Sequence, residues 1–128
     1  MKYMILTFGD QATMMEQRTV TWVKEMIQFM QGLIEDLKAS GELVFAEGLA
    51  DPTQAKTVRF QGGVSVPTDG PFAEAKEFLA GYWIVDCEST QRAYEIAARA
   101  SAAPGKGGTP MNMPIEVREV MSAPPVDM

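Results

Sequence analysis

The chain has 128 residues, 46% hydrophobic and 22% charged, which suits one domain with a single core and is short for two. Its formal charge of −6, with lysines and arginines scattered along the chain, opposes binding to a phosphate backbone, so no nucleic-acid partner is expected. The chain has no histidine, which excludes a Ser-His-Asp or Cys-His nucleophile, histidine metal ligands and a histidine base, and leaves acid–base work to Asp, Glu, Lys, Tyr or solvent.

Lys2 to Phe8, KYMILTF, is an apolar run with aromatic residues near its ends, closed by Gly9-Asp10, and predicts a central strand. From about Thr19, Trp22, Val23, Met26, Ile27, Met30, Leu33, Ile34 and Leu37 recur at spacings of three and four, predicting an amphipathic helix that Ser40-Gly41 stops. Leu43 to Leu49 follows as a strand. Within it Glu47 has two open readings: a carboxylate lining a cavity, or a solvated residue on one strand face.

Asp51, Pro52 and Thr53 mark a loop. Thr57 to Gln61 alternates Val58 and Phe60 with polar residues, Gly62-Gly63 turns the chain, and Val64 to Val66 is a short return arm. Gly81 to Cys87, GYWIVDC, is the most strand-like segment. Cys87 is the only cysteine, so it forms no intrachain disulfide and is expected to pack as a small apolar side chain.

A second helix is expected over Thr90 to Ala100, capped by Ser89 or Thr90, with Ala93, Ile96, Ala97 and Ala100 on its apolar face. Ala103 to Pro114 is rich in Gly and Pro and reads as a mobile loop, and its KGGT segment lacks the context of a phosphate loop. Ile115 to Val120 alternates as the last strand; residues 1–121 make the domain and 122–128 a tail. With the hairpin arm set aside the order is β-α-β-β-α-β, an α+β fold of the ferredoxin-like kind with two helices on one face of an antiparallel sheet. The uncovered face predicts a homodimer, whose cleft would be the place for a small-molecule ligand.

No apolar run approaches the roughly 18 residues of a membrane span, and the N-terminus lacks the marks of a signal peptide, so a cytoplasmic protein without a membrane partner is expected. A hard cation would need Asp10, Glu47 and Asp69 to converge, and no spacing demands it; neither metal nor cofactor is expected.

Asp69-Gly70-Pro71-Phe72 joins a rigid acidic turn to the next strand. Pro71 fixes φ, Gly70 permits a left-handed or otherwise strained backbone, Phe72 supplies an apolar anchor, and Glu74, Lys76 and Glu77 suggest a short charged excursion before Leu79. Asp69 is therefore either a general acid or base at a strand end or the acceptor that builds an Asx turn.

KYMILTFGD, GELVFAEGL, TDGPFAEAKEFLAGYWIVD and IEVREV together resemble the YCII-related proteins of the DGPF subgroup over about residues 1–120. The resemblance implies a dimeric α+β barrel with a cleft near the DGPF turn, and a neighbourhood of extracytoplasmic-function sigma-factor genes. Members of the broader family have been proposed to be enzymes through a His-Asp pair, which this chain does not carry; Asp69 alone remains of it. The expectation is a dimeric small-molecule-binding domain with Glu47, Asp69, Tyr82 and Arg118 at the ligand. The alternative is a lyase- or isomerase-type enzyme with Asp69 as catalytic residue.

Overall fold

Alternation of side chains along the N-terminal run sets the first strand. In the computed structural model, which describes residues 1–10, 19–70 and 77–122, β1 (Lys2–Asp10) sends Tyr3 and Ile5 into the core and leaves Met4 and Leu6 half-buried on the other face. α1 (Val20–Ala39) begins at Thr19, whose hydroxyl accepts the Trp22 amide at 3.1 Å, and ends where Gly41 adopts φ +78°. Its apolar stripe buries Trp22, Leu33 and Leu37, whereas Ile27, at the margin of the stripe, is half exposed.

β2 (Leu43–Gly48) is followed by a single helical turn at Pro52–Gln54, where Asp51 accepts from the Thr53 amide at 2.9 Å. β3 (Lys56–Gln61) and β4 (Val64–Asp69) pair as a hairpin through Gly62-Gly63, at φ +59° and +82°. Positive φ at both turn residues matches the twist of a two-residue hairpin loop, which is why two glycines stand there. β5 (Glu77–Asp86), α2 (Thr90–Ser101) and β6 (Ile115–Glu119) complete the chain; Ser89 caps α2 through the Arg92 amide at 3.1 Å.

The main sheet has the order β2-β5-β1-β6 with every neighbouring pair antiparallel, and β3-β4 forms a separate two-stranded sheet. One core cluster joins Leu33 and Leu37 of α1 and Ala93, Ile96 and Ala97 of α2 to Tyr3, Ile5, Trp83 and Val85, so both helices cover the same sheet face. The other face carries two rows read from the register: Glu47, Tyr82, Leu6, Glu116, and Phe45, Ile84, Met4, Arg118. The architecture is thus α+β, with antiparallel sheets and two helices.

Three differences from the sequence reading have physical causes. β4 runs on to Asp69 because Pro67 and Asp69 stand opposite Val58 and Lys56, so the return arm matches β3 in length. Residues 103–114 are tied down: Trp22 Nε1 donates to the Pro104 carbonyl at 2.8 Å, Met111 N to Ala103 O at 2.8 Å, and Ser101 Oγ to Met113 O at 2.6 Å. Gly70 is not left-handed; a Cβ there would stand 2.5 Å from Thr57 Oγ1, so close approach to β3 is what requires glycine. Pro71 to Lys76, with the Phe72 anchor and the start of the charged excursion, and residues 123–128 of the tail lie outside the described residues.

Arg92 fastens α2 to the end of the α1–β2 connection. Its Nε and Nη2 donate to Glu42 Oε2 and Oε1 at 2.9 and 2.8 Å, and Ser40 Oγ donates to the same carboxylate at 2.8 Å. The Arg92 bond holds the Glu42 carboxyl below its ordinary value of 4.5. Cys87 is buried, and loss of solvent raises its thiol pKa.

Candidate functional site

Near the end of β1 the pairing with β5 slips. Thr7 stands opposite Gly81 and Phe8 opposite Leu79, leaving Ala80 as the extra residue, whose carbonyl is taken by the Leu49 amide at 2.8 Å. Gly81 sits where the β2 backbone closes in: a Cβ there would lie 2.9 Å from Glu47 O and 3.3 Å from Gly48 Cα. Small residues at Ala46, Gly48, Ala80 and Gly81 leave room between this end of the sheet and α1.

That room is a cavity of about 370 Å³. α1 contributes Met30 and Ile34, one turn apart on one helix face, and the sheet contributes Thr7, Ala46, Gly81 and Trp83. The lining is mainly apolar. Alternation Tyr3, Ile5, Thr7 brings a hydroxyl to an inward position, and Trp83 brings an indole N–H; the two residues are 7% and 6% exposed.

Among the described residues neither Thr7 Oγ1 nor Trp83 Nε1 has a hydrogen-bond partner, and no other buried side-chain nitrogen or oxygen is in that position. An unsatisfied buried polar group costs about 1–3 kcal/mol, and native folds keep very few. Here both residues line one cavity, with the two polar atoms themselves buried beneath its surface. Trp22 shows the usual alternative, its indole N–H being bonded to Pro104. A larger depression of about 800 Å³ around Met1, Lys2 and Asp86 differs in this respect, since the Met1 ammonium and the Asp86 carboxylate already pair at 2.9 Å.

The four residues singled out from the sequence fall in three places. Glu47 and Tyr82 are register partners across β2 and β5 and both border the cavity. Because they alternate with Ala46 and Trp83, their side chains leave the sheet on its uncovered face, where the Tyr82 ring lies 6.2 Å from that of Phe45. Arg118 shares that face on β6, at the opposite edge, three strand spacings or roughly 14 Å from β2.

Asp69 ends β4, away from the cavity lining. Its side chain is 93% exposed and accepts a hydrogen bond from Lys56 Nζ, which lowers its pKa through the bond itself and through charge. A general acid at neutral pH needs the opposite shift. Among the described residues no three acidic or thiol side chains converge to hold a metal ion; the Asp10 side chain, part of the cation arrangement considered with Glu47 and Asp69, lies outside them.

Thr7 and Trp83 were not singled out in the sequence, although a signal existed. Thr7 is a hydroxyl residue in the inward register of an otherwise apolar strand, and Trp83 follows a glycine by two residues on the same register.

Comparison with known proteins gives two findings. The profile of the YCII-related domain matches residues 1–111. An uncharacterized protein of Rhizobium meliloti (strain 1021) is 31% identical over 107 residues, covering 80% of this chain and 82% of that protein.

Proposed function

The chain belongs to the YCII-related family, and from that premise we propose that it is a small-molecule-binding domain whose ligand lies between α1 and the sheet. The observation that carries this reading is the mainly apolar cavity of about 370 Å³ itself, whose lining residues include Thr7 and Trp83, each with a buried side-chain polar atom that has no partner among the described residues. An apolar hollow with a few polar groups beside it is the usual make-up of a ligand site, and a ligand that reaches either group through a side-chain adjustment offsets the cost of burying it. An enzyme working through Asp69 lacks comparable support, because that carboxylate is solvated and salt-bridged.

The same proposal extends to the assembly. The strand order and the βαβ connections, with the β3–β4 arm between β2 and β5, suit a ferredoxin-like unit. Its uncovered face is apolar at the centre, with Met4, Leu6, Tyr82 and Ile84, and charged at the edges, with Glu47, Glu116 and Arg118. Opposite charges at the edges suit a two-fold copy laid on that face, which would close a dimeric barrel. The DGPF subgroup is proposed from Asp69, Gly70, Pro71 and Phe72 in sequence, with Asp69 bonded to Lys56 and Gly70 packed on Thr57 to fasten the hairpin base.

Thermal-shift screening of small organic compounds tests the cavity. A ligand at a hundred times its Kd stabilises the fold by about 2.7 kcal/mol. The reading expects stabilisers whose effect shrinks in Thr7→Val and in Trp83→Phe; stabilisers indifferent to both substitutions would move the site elsewhere.

A further inference from the structure

We propose that two copies of this chain meet on the uncovered sheet face about a two-fold axis running across the strands, so that Arg118 of each copy pairs with Glu116 of the other. This inference rests on the sheet-to-sheet dimer proposed above and adds its axis and the ion pair that sets it.

Strand register makes the uncovered face a small grid. One row across the sheet runs Glu47, Tyr82, Leu6, Glu116, and the next, two residues along each strand, runs Phe45, Ile84, Met4, Arg118. The middle of both rows is apolar or aromatic and half-buried, and Phe45 at the β2 end is 47% exposed. Charge is confined to the row ends, on the edge strands β2 and β6. Among the described residues no ion pair holds Glu47, Glu116 or Arg118, whereas Asp36, Glu42, Asp69 and Asp86 are all paired.

A two-fold axis between facing sheets can lie along the strands or across them, and charge separates the two cases. An axis along the strands exchanges the ends of each row. Glu47 then faces the partner's Glu116, and Arg118 faces the partner's Phe45. Two acid–acid contacts would result, in a chain whose formal charge is already −6. An axis across the strands exchanges the two rows and leaves β2 over β2 and β6 over β6. Arg118 then faces the partner's Glu116 twice over, and Glu47 faces the partner's Phe45, so opposite charges replace like ones. The apolar middles still close on each other, Ile84 over the partner's Tyr82 and Met4 over the partner's Leu6. Facing sheets pack about 10 Å apart, a gap that an arginine and a glutamate reaching from opposite sides span.

The test uses the full-length protein with Arg118→Glu in one preparation and Glu116→Arg in another. Sedimentation equilibrium gives the dimer dissociation constant, and circular dichroism checks that both variants fold. Each variant alone sets like charges against each other in both pairs and should dimerise about tenfold or more weakly than wild type. Mixed in equal amounts, each variant meets the opposite charge on the other, so a heterodimer should form within about threefold of wild-type strength. An ion pair within one chain gives no such recovery. Variants as tightly dimeric as wild type, or a mixture no tighter than its components, overturn the pair and leave the dimer standing. Recovery of Arg118→Glu by Glu47→Arg, and not by Glu116→Arg, turns the axis along the strands and overturns the arrangement proposed. A monomeric wild type overturns the dimer reading and this inference with it.

Discussion

Replacing Thr7 by valine removes one hydroxyl and keeps the branched shape of the side chain. That hydroxyl oxygen has under 1 Å² of accessible surface, in a residue that is 7% exposed, and has no partner among the described residues. Desolvating an unpaired hydroxyl costs about 1–3 kcal/mol, so Thr7→Val is expected to stabilise the fold by on the order of 1 kcal/mol. For a domain of this size that raises the melting temperature by about 3–5 °C. Thr7→Ser keeps the hydroxyl and loses a methyl group, which costs about 1 kcal/mol of buried apolar surface. Urea unfolding should therefore rank the ligand-free proteins Val above Thr above Ser, while ligand affinity falls in Val. A valine variant less stable than wild type by 1 kcal/mol or more would mean that the hydroxyl is bonded in the free protein, and the argument from an unpartnered group would fail.

Other positions give independent checks. Gly81→Ala drives a Cβ against the β2 backbone at Glu47 O and Gly48 Cα, so urea unfolding should show a loss of about 1–3 kcal/mol, since neither contact is a side chain that can swing away. Asp69→Ala removes an exposed ion pair with Lys56 and should leave the melting temperature within about 2 °C, measured by calorimetry. Arg92→Ala leaves Glu42 without its bidentate partner and should cost about 2 kcal/mol near neutral pH. Because the folded-state pKa of Glu42 lies below 4.5, that stabilisation is complete above 4.5 and is lost as pH falls through the lowered value, so the gap between wild type and Arg92→Ala should close in acid. Ile84→Glu buries a charge in a sheet-to-sheet dimer; light scattering should show a dimer for wild type and a monomer for the variant, and a monomeric wild type would rule out the proposed assembly.

Much of the fold was legible because each element carried its own signal. Two glycines at 62 and 63 specified the β3–β4 turn, Thr19 and Ser89 specified the helix starts, and the three- and four-residue spacing from Trp22 to Leu37 specified the face of α1. Residues 103–114 form the loop that their glycines and prolines indicated, but composition does not record the partners that fasten it: the Trp22 indole bonds the Pro104 carbonyl and the Ser101 hydroxyl the Met113 carbonyl. Asp69 drew notice as an acid in a constrained turn, yet its closest partner, Lys56, lies 13 residues earlier and becomes visible only through the hairpin register. Glu47 and Tyr82 do border the cavity, but strand parity directs their side chains to the other face. Thr7 and Trp83 escaped notice for the converse reason. A threonine within an apolar strand and a tryptophan in a core strand read as packing residues, and only the tertiary structure shows that their polar atoms lack partners while both residues line one cavity.

The most direct measurement of the central claim is the Trp83 indole N–H resonance during titration with a compound found to stabilise the protein. A hydrogen bond formed by Trp83 Nε1 on binding should move that resonance downfield with the same midpoint as the stabilisation, while Trp22, already bonded to Pro104, stays in place. A compound that stabilises the protein and leaves Trp83 unmoved would contradict the assignment of the cavity as the ligand site.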